Sequence, residues 1–283
     1  MKKQFIVAIL TVIVLVLPGC RTNIEEKNGE YTEYGSDLSN TSDIAGENTT
    51  EENTTENNTT EESTTEESTT EEDIPGVVDF DLKAERVDLP EDELLEGYDF
   101  SDAVFIGDSR TEGLTVYSVL TTSTVLATRG LMACSILDEE FIETENDDKL
   151  TALEYLSLHD FKKVYIMLGI NELGCDINIY VSCYKQFIDE IRILQPEIEI
   201  YILPIIPMVE ERTDEIYNNE IIAKFNEELK KICIEKNVPL INVSAALINK
   251  EGTLNEELSR DGIHLNTKGL IRFVNYLILA TGN

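Results

Sequence analysis

Positive charge is scarce in this sequence. Its 283 residues include 56 Asp and Glu against 22 Lys and Arg, which gives a formal net charge of −34 at pH 7. Phosphate backbones repel so acidic a chain, which argues against a nucleic-acid-binding protein. Histidine is scarce as well, with His159 and His264 alone. No Cys/His cluster has zinc-ligand spacing and no Gly-rich phosphate motif occurs, so we expect neither a metal site nor a cofactor.

Long apolar runs are missing after the N-terminus, where no segment approaches the ~20 apolar residues of a membrane-spanning helix. The N-terminus itself has the pattern of an export signal, with two lysines before an apolar stretch at residues 5–17. The next residues, Leu17-Pro18-Gly19-Cys20, resemble a bacterial lipobox. We therefore expect residues 1–20 to be a lipoprotein signal peptide, with Cys20 lipidated as a membrane anchor. A plain secretory signal is the alternative.

Residues 21–75 have almost no apolar side chains. They carry 17 acidic and two basic residues, and a Thr-Thr-Glu-Glu repeat with Asn and Ser variants runs through 49–72. Such a segment buries too little apolar surface to offset the entropy of ordering, and its like charges repel one another. We expect a disordered acidic tether that holds residues 76–283 away from the membrane.

Residues 76–283 are expected to form a single α/β domain. Five short apolar runs without polar alternation are typical of parallel strands covered on both faces. Patterns with helical 3–4 spacing lie between and after these runs, at residues 180–191, 221–233 and 269–279. The alternation predicts a three-layer α/β/α sandwich with about five parallel strands. The five runs are 103–106, 124–127, 164–168, 198–203 and 240–243.

Side chains with useful chemistry follow these runs. Gly107-Asp108-Ser109 comes directly after the first run, so we expect Ser109 on a tight turn that opens a helix. Gly130 follows the second run, where its N–H could approach a ligand, and Asn171 follows the third, where its amide could face an oxyanion. Taken singly, each is also compatible with an ordinary turn or helix cap. Parallel strands gather such groups at one edge of the sheet.

A candidate base lies near the C-terminus. His264 follows Asp261 by three residues, on a Gly-containing loop before the last helical pattern. This spacing lets the carboxylate accept a hydrogen bond from one ring nitrogen and leaves the other nitrogen facing outward. His159 precedes the third run, at the opposite end of the sheet, and is expected to be structural.

Together these segments resemble the SGNH hydrolase superfamily, also called GDSL esterases, in the family's order across roughly residues 100–281. The resemblance implies a flavodoxin-like α/β/α sandwich. It implies that Ser109 is the nucleophile, that His264 is the general base and then acid, and that Asp261 orients His264. It also implies an oxyanion hole made by the N–H groups of Ser109 and Gly130 and the side chain of Asn171.

Two residues depart from the family pattern. Arg110 occupies the position after the serine where family members often carry Leu, and Glu172 replaces the usual Asp after Asn171. Arg110 either pairs with an acidic neighbour or binds an anionic group of the substrate. Glu172 keeps the charge with a longer reach, and we count both residues as candidate substrate-binding residues.

The expected function is that of a serine esterase, lipid-anchored outside the cytoplasm, that hydrolyses short acyl esters, above all O-acetyl, on carbohydrate or cell-wall glycan. Its partners are the acylated glycan and, through the anchor, the membrane, and we expect a monomer. A lysophospholipase-like or lipase-like acyl hydrolase, an acyltransferase of the same fold and a non-catalytic surface binding domain stay open. A lipase would need an apolar lid, whereas the insertion at 139–148 is acidic.

Four cysteines follow Cys20, namely Cys134, Cys175, Cys183 and Cys233. An even number in an exported domain permits disulfides, in three possible pairings. Cys183 and Cys233 fall in helical patterns near apolar residues, where free cysteine packs well, so we expect reduced cysteines.

Overall fold

The computed structural model describes residues 89–282. The signal peptide, Cys20, the tether and the start of the domain at residue 76 lie outside the described residues and stay predictions. Over residues 89–282, no helix has both the length and the apolar character needed to cross a membrane.

A parallel four-stranded sheet forms the centre of the domain, in the order β2-β1-β5-β6. A separate antiparallel pair, β3-β4, lies in the acidic insertion. The first four apolar runs of the sequence form the four strands of the sheet, which confirms those predictions. The strands are β1 (Ala103–Gly107), β2 (Thr124–Ala127), β3 (Ile142–Glu143), β4 (Lys149–Leu150), β5 (Lys163–Met167) and β6 (Glu199–Ile202).

The fifth run, residues 240–243, does not extend the sheet as a strand. It makes one parallel bridge, in which Ile202 donates to the Pro239 carbonyl and accepts from the Ile241 N–H. Pro239 has no N–H with which to continue the ladder toward its N-terminal side. On the other side the chain turns at once into a short 3₁₀ helix, Val243–Ala246. The predicted fifth strand is thus reduced to a single bridge.

Helices cover both faces of the sheet and complete the three-layer α/β/α sandwich that the sequence predicted. The inward side chains of α2, α3 and α4 share one apolar core with Val104 and Ile106, and those of α1 and α5 share a second core with Phe105. Neighbouring residues of β1 thus face opposite cores, as strand geometry requires. The helices are α1 (Ser109–Val116), α2 (Ala152–Leu158), α3 (Ile177–Leu194), α4 (Asn219–Lys236) and α5 (Thr267–Thr281).

The first described residues are fastened to α5. Asn275 accepts from the Leu95 N–H at 2.8 Å and donates to the carbonyls of Pro90 and Glu93. Arg272 donates to the Leu89 carbonyl at 3.1 Å. Both side chains are buried, and these bonds satisfy polar groups that would otherwise be costly to bury.

Candidate active site

Ser109 stands where β1 passes into α1. The turn is tight because Gly107 ends the strand against its neighbour: a Cβ on Gly107 would lie 2.6 Å from the Met167 carbonyl oxygen. Asp108 then caps the helix, its carboxylate accepting from the Arg110 N–H at 2.9 Å. Ser109 is therefore the first residue of α1, where helix geometry leaves its backbone N–H without an intrahelical partner.

Three side chains from distant parts of the chain form a hydrogen-bonded series. The Ser109 Oγ lies 2.9 Å from His264 Nε2, and His264 Nδ1 lies 2.8 Å from Asp261 Oδ2. An ionised carboxylate accepts only, so Nδ1 carries the proton and Nε2 is left to accept from the serine hydroxyl. The structure thus brings Ser109, His264 and Asp261 together, and the geometry suits proton transfer from the hydroxyl to the ring.

Asp261 is held as the charged acceptor in this series. Partial burial opposes its ionisation, but its Oδ1 accepts from the backbone N–H groups of Ile263 at 3.0 Å and His264 at 2.8 Å. These bonds, the His264 ring and the Arg260 guanidinium outweigh burial and lower the pKa of Asp261 below its ordinary value.

The loop that carries His264 is shaped by its own hydrogen bonds. Ser259 Oγ accepts from the Gly262 N–H at 2.8 Å and donates to the His264 carbonyl at 3.0 Å. Gly262 has φ 89°, which L side chains rarely adopt. Asn266 then caps α5 by accepting from the Gly269 N–H. The ring is therefore aimed at Ser109 by a short loop rigidly joined to a helix.

Gly130 and Asn171 follow the two strands that flank β1. Gly130 comes three residues after β2 and has φ 79°, which turns the chain sharply at the strand end. Asn171 comes four residues after β5, and its Nδ2 donates to the Leu131 carbonyl at 3.0 Å. One amide proton of Asn171 is thereby engaged and the other is left over. The structure places both residues at the edge where Ser109 lies, with Asn171 bonded to the residue after Gly130.

Glu172 does not face a substrate. It is 1 % exposed, and its Oε1 accepts from the Ala133 N–H, while Oε2 has no partner among the described residues. Burial raises the pKa of Glu172 to about 7, against the opposing effect of the Ala133 N–H. The expectation that Glu172 binds substrate is therefore corrected, because the buried carboxyl group is engaged in holding the loop after β2.

A disulfide holds the same loop from the other side. Cys134 and Cys183 are bonded, which joins the loop after β2 to α3. The expectation of reduced cysteines is wrong for this pair, and it holds for buried Cys233 and exposed Cys175. Cys183 does lie in a helix, but on the side of α3 that meets Cys134, a position that apolar spacing alone does not reveal.

Arg110 is buried beneath Ser109. It is 3 % exposed, and its Nη1 donates to the Ile206 carbonyl at 2.6 Å, while Nε and Nη2 have no partner in the described part of the chain. Burial lowers the pKa of Arg110 to about 10, against the opposing charges of Asp108 and Asp261. Burial likewise raises the pKa of Asp108 to about 6. Of the two expectations for Arg110, pairing with an acidic neighbour is not met, since within residues 89–282 it forms no ion pair.

A cavity of about 480 Å³ opens beside the series, and both Ser109 and His264 line it. Tyr117 and Arg260 line it too, and Arg260 Nη1 donates to the Tyr117 hydroxyl at 3.1 Å. Sequence reasoning missed these two residues, because a tyrosine at the end of a short helix and an arginine before an aspartate carry no motif. In residues 89–282 no group of three or more His, Cys, Asp or Glu side chains could hold a metal ion.

The other histidine, His159, lies outside this series. It stacks on Tyr155 at the end of α2, with 4.0 Å between the ring centroids.

The raised pKa of Glu172 makes stability depend on pH. Between its ordinary value of 4.5 and its folded value of about 7, the folded protein keeps a proton that the unfolded chain releases, so stability falls as pH rises through that window. The side chain of Glu172→Gln stays neutral. We therefore expect this variant to reduce the pH-dependent fall in the free energy of unfolding by up to about 3 kcal/mol. Urea unfolding of both proteins at pH 5 and pH 8 measures it. The control is Glu197→Gln at an exposed position, and equal losses in wild type and Glu172→Gln would refute the assignment.

Comparison with known proteins adds a family and a fold. Residues 105–270 match the profile of the GDSL-like Lipase/Acylhydrolase family. A solved structure, provisionally described as a platelet activating factor from Streptococcus pneumonia, is 22% identical to this chain. It superposes with a TM-score of 0.51, over 62% of this chain and 81% of that chain. The acetyl xylan esterase AlAXEase has 18% identity and a TM-score of 0.45, over 63% and 98% of the two chains. A family 3 carbohydrate esterase from Clostridium thermocellum has 18% identity and a TM-score of 0.46, over 62% and 93%. A search of curated proteins found no match.

Proposed function

This chain belongs to the GDSL-like lipase/acylhydrolase family and is an ester-bond hydrolase, and from that premise we propose that it is a serine esterase that removes short acyl groups, above all acetyl, from carbohydrate. The observation that carries the proposal is the 2.9 Å contact between Ser109 Oγ and His264 Nε2. It joins a hydroxyl to a base whose other nitrogen is already bonded to a carboxylate, which is how a serine nucleophile is activated.

The mechanism uses each group of the series once in each half-reaction. The Ser109 oxygen attacks the ester carbonyl carbon while His264 Nε2 takes the hydroxyl proton, and the C=O electrons move to the oxygen. His264 returns the proton to the departing alcohol oxygen, which leaves an acyl group on Ser109. A water molecule, deprotonated by the same nitrogen, then attacks the acyl carbon, and the acid is released as the bond to the Ser109 oxygen breaks and His264 returns the proton to that oxygen. Asp261 stabilises the imidazolium that forms in both steps.

The oxyanion of each tetrahedral intermediate is stabilised by three donors. These are the N–H groups of Ser109 and Gly130 and the free amide proton of Asn171. Preorganised donors of this kind act at the charge that develops in the transition state and need no rearrangement.

The lining of the cavity favours a substrate with a short acyl group and a polar alcohol. Val116 and Leu265 are the two aliphatic residues of its lining, which also includes three arginines and Glu112. A long acyl chain gains about 0.8 kcal/mol for each CH₂ that it buries, and this lining offers few places to bury one. The acidic hairpin β3-β4 is no apolar lid. A lipase-like function is therefore the weaker candidate.

An ester series tests the function. We expect nitrophenyl acetate to be hydrolysed faster than the butyrate and far faster than the octanoate, and acetylated glycans to release acetate. A fluorophosphonate probe should label Ser109 and leave Ser109→Ala unlabelled. A preference for long chains would favour a lipase, transfer of acetyl to an added sugar in place of water would favour an acyltransferase, and no labelling of folded protein would favour a binding module.

Asn171→Ala is expected to lower kcat by a factor of ~10²–10³ with little change in KM, because the lost donor acts on the transition state. The rate of acetate release from an acetyl ester measures it. The control is Asn178→Ala, which removes an exposed amide of α3 whose one hydrogen bond within residues 89–282 is to Asp176. A kcat within about threefold of wild type would take Asn171 out of the oxyanion hole.

The location is also part of the proposal: a domain anchored outside the cytoplasm through Cys20. Two independent features support it, the lipobox-like sequence and the Cys134–Cys183 disulfide, because structural disulfides persist in oxidising compartments. Cells given a radiolabelled fatty acid should label the wild-type chain in the membrane fraction. Cys20→Ser should abolish the label, and labelled protein that persists after this change would contradict lipidation at Cys20.

A further inference from the structure

The cavity beside Ser109 concentrates the rarest charge of the domain. Residues 89–283 contain 35 acidic and 16 basic side chains, with six arginines among the basic ones. Three of those arginines, at positions 110, 129 and 260, line this one cavity, whereas Glu112 is the single acidic residue among its lining. In a domain that repels anions over most of its surface, a cationic concavity focuses an attractive potential on the reacting serine.

Arg110 contributes a buried charge that forms no direct ion pair with a carboxylate within residues 89–282, although the charges of Asp108 and Asp261 act on it. A buried guanidinium without an ion pair is costly, since burial removes its hydration. Its one bonded nitrogen, Nη1, contacts the Ile206 carbonyl. The two others, Nε and Nη2, form the opposite edge of the planar group, the edge that pairs with oxyanions in a forked geometry. Arg110 therefore adds positive potential to the lining of the cavity, and the charges of Asp108 and Asp261 offset only part of it.

Arg129 and Arg260 lie on the rim, where a ligand can reach them. The Arg129 side chain is 81% exposed and pairs with Glu112 at 3.2 Å. The Arg260 side chain is 52% exposed and pairs with Asp261 Oδ2 at 3.1 Å. Exposed pairs of this kind are weak, so a substrate oxyanion can take up free donors of either guanidinium at little cost. Arg260 is also close to the chemistry, since the oxygen that it contacts is the one bonded to the His264 ring.

We propose that the esters this enzyme prefers carry an oxyanionic group, a carboxylate or a phosphate, on the sugar beside the acylated hydroxyl, with Arg129 and Arg260 binding that group. The inference rests on the proposed esterase function and narrows it to acylated acidic carbohydrates. The rest of the acidic surface repels such substrates, so the cavity is the place where they are drawn in.

The test compares three acetylated sugars of the same skeleton: a methyl glucoside, the matching glucuronoside and the matching glucoside 6-phosphate. Acetate release gives kcat/KM for each. We expect the wild type to prefer one or both anionic esters by about tenfold, and the preference to shrink as ionic strength rises. The glucuronoside and the phosphate separately report which oxyanion the cavity takes.

Variants connect the preference to the arginines. Arg129→Gln with Arg260→Gln should reduce the ratio of anionic to neutral kcat/KM to about one, whereas Lys224→Gln, which removes an exposed charge of α4 outside the cavity, should keep the wild-type ratio. Equal rates on neutral and anionic esters in the wild type would overturn the proposal, as would an unchanged ratio in the double variant.

Failure of the esterase function is recognised separately. If no ester is hydrolysed, calorimetric titration of Ser109→Ala with the three acetylated sugars still measures the binding preference. Tighter binding of an anionic sugar that Arg129→Gln weakens would uphold the anion site, and equal binding of all three would reject it.

Discussion

Ser109→Ala is expected to lower kcat/KM for acetyl esters by a factor of ~10⁴–10⁶. The change removes the only atom that can form the acyl-enzyme, while the backbone N–H and the helix cap at Asp108 are kept. The loss of activity should fall on kcat rather than on KM, because the cavity that binds the ester loses only one oxygen atom. Steady-state hydrolysis of nitrophenyl acetate measures it, corrected for the rate without enzyme.

Three further variants make this result decisive. Ser182→Ala alters an exposed serine of α3 and should keep wild-type activity, which controls for the substitution itself. His264→Ala should cost nearly as much as Ser109→Ala, and the double variant should cost little more than either, because the two side chains act as a unit. Thermal unfolding should show that Ser109→Ala and all three further variants are folded. A Ser109→Ala enzyme with more than a tenth of wild-type activity would remove Ser109 from the mechanism.

Asp261→Asn is expected to lower kcat by a factor of ~10²–10⁴. The asparagine oxygen can still accept from the N–H groups of Ile263 and His264, so the loop should keep its shape. Its amide nitrogen, however, replaces the oxygen that accepts from His264 Nδ1. The ring must then carry its proton on Nε2, where it cannot accept the proton of Ser109.

The measurement for Asp261→Asn is kcat on an acetyl ester, together with the tautomer of His264 observed by nitrogen NMR of the ring. Asp214→Asn, in a loop outside the cavity, is the matched control. An Nδ1 proton that persists in an Asp261→Asn enzyme of normal rate would show that Asp261 does not orient the ring.

The strands of the sheet could be predicted where apolar runs are continuous, but less well where a residue without a backbone N–H interrupts the hydrogen bonding. The first four runs became strands because burial on both faces requires apolar residues at successive positions. The run at 240–243 has the same composition, yet Pro239 ends its ladder after one bridge. The proline is visible in the sequence. Its effect, however, depends on whether the neighbouring strand needs that N–H as a hydrogen-bond donor, which only the pairing of the strands reveals.

The candidate site was predictable as a set of residues and less so as an environment. Ser109, Gly130 and Asn171 could be named because reacting groups gather at the carboxyl ends of parallel strands, and His264 because it follows Asp261 by three residues. The burial of Arg110 and Glu172 could not, because both follow site residues in sequence and yet turn inward. The Cys134–Cys183 pairing was equally hidden, since it joins residues 49 positions apart whose approach is decided by the packing of α3.

The fastening of residues 89–95 to α5 has a mechanical consequence. Tension along the preceding chain would first load the hydrogen bonds to Asn275 and Arg272, in the middle of a helix whose apolar face is locked into the core. Those bonds would have to shear before the chain between residue 95 and β1 was itself stretched. Stretching or drag on the N-terminal segment should therefore not pull directly on β1, at whose end Ser109 lies.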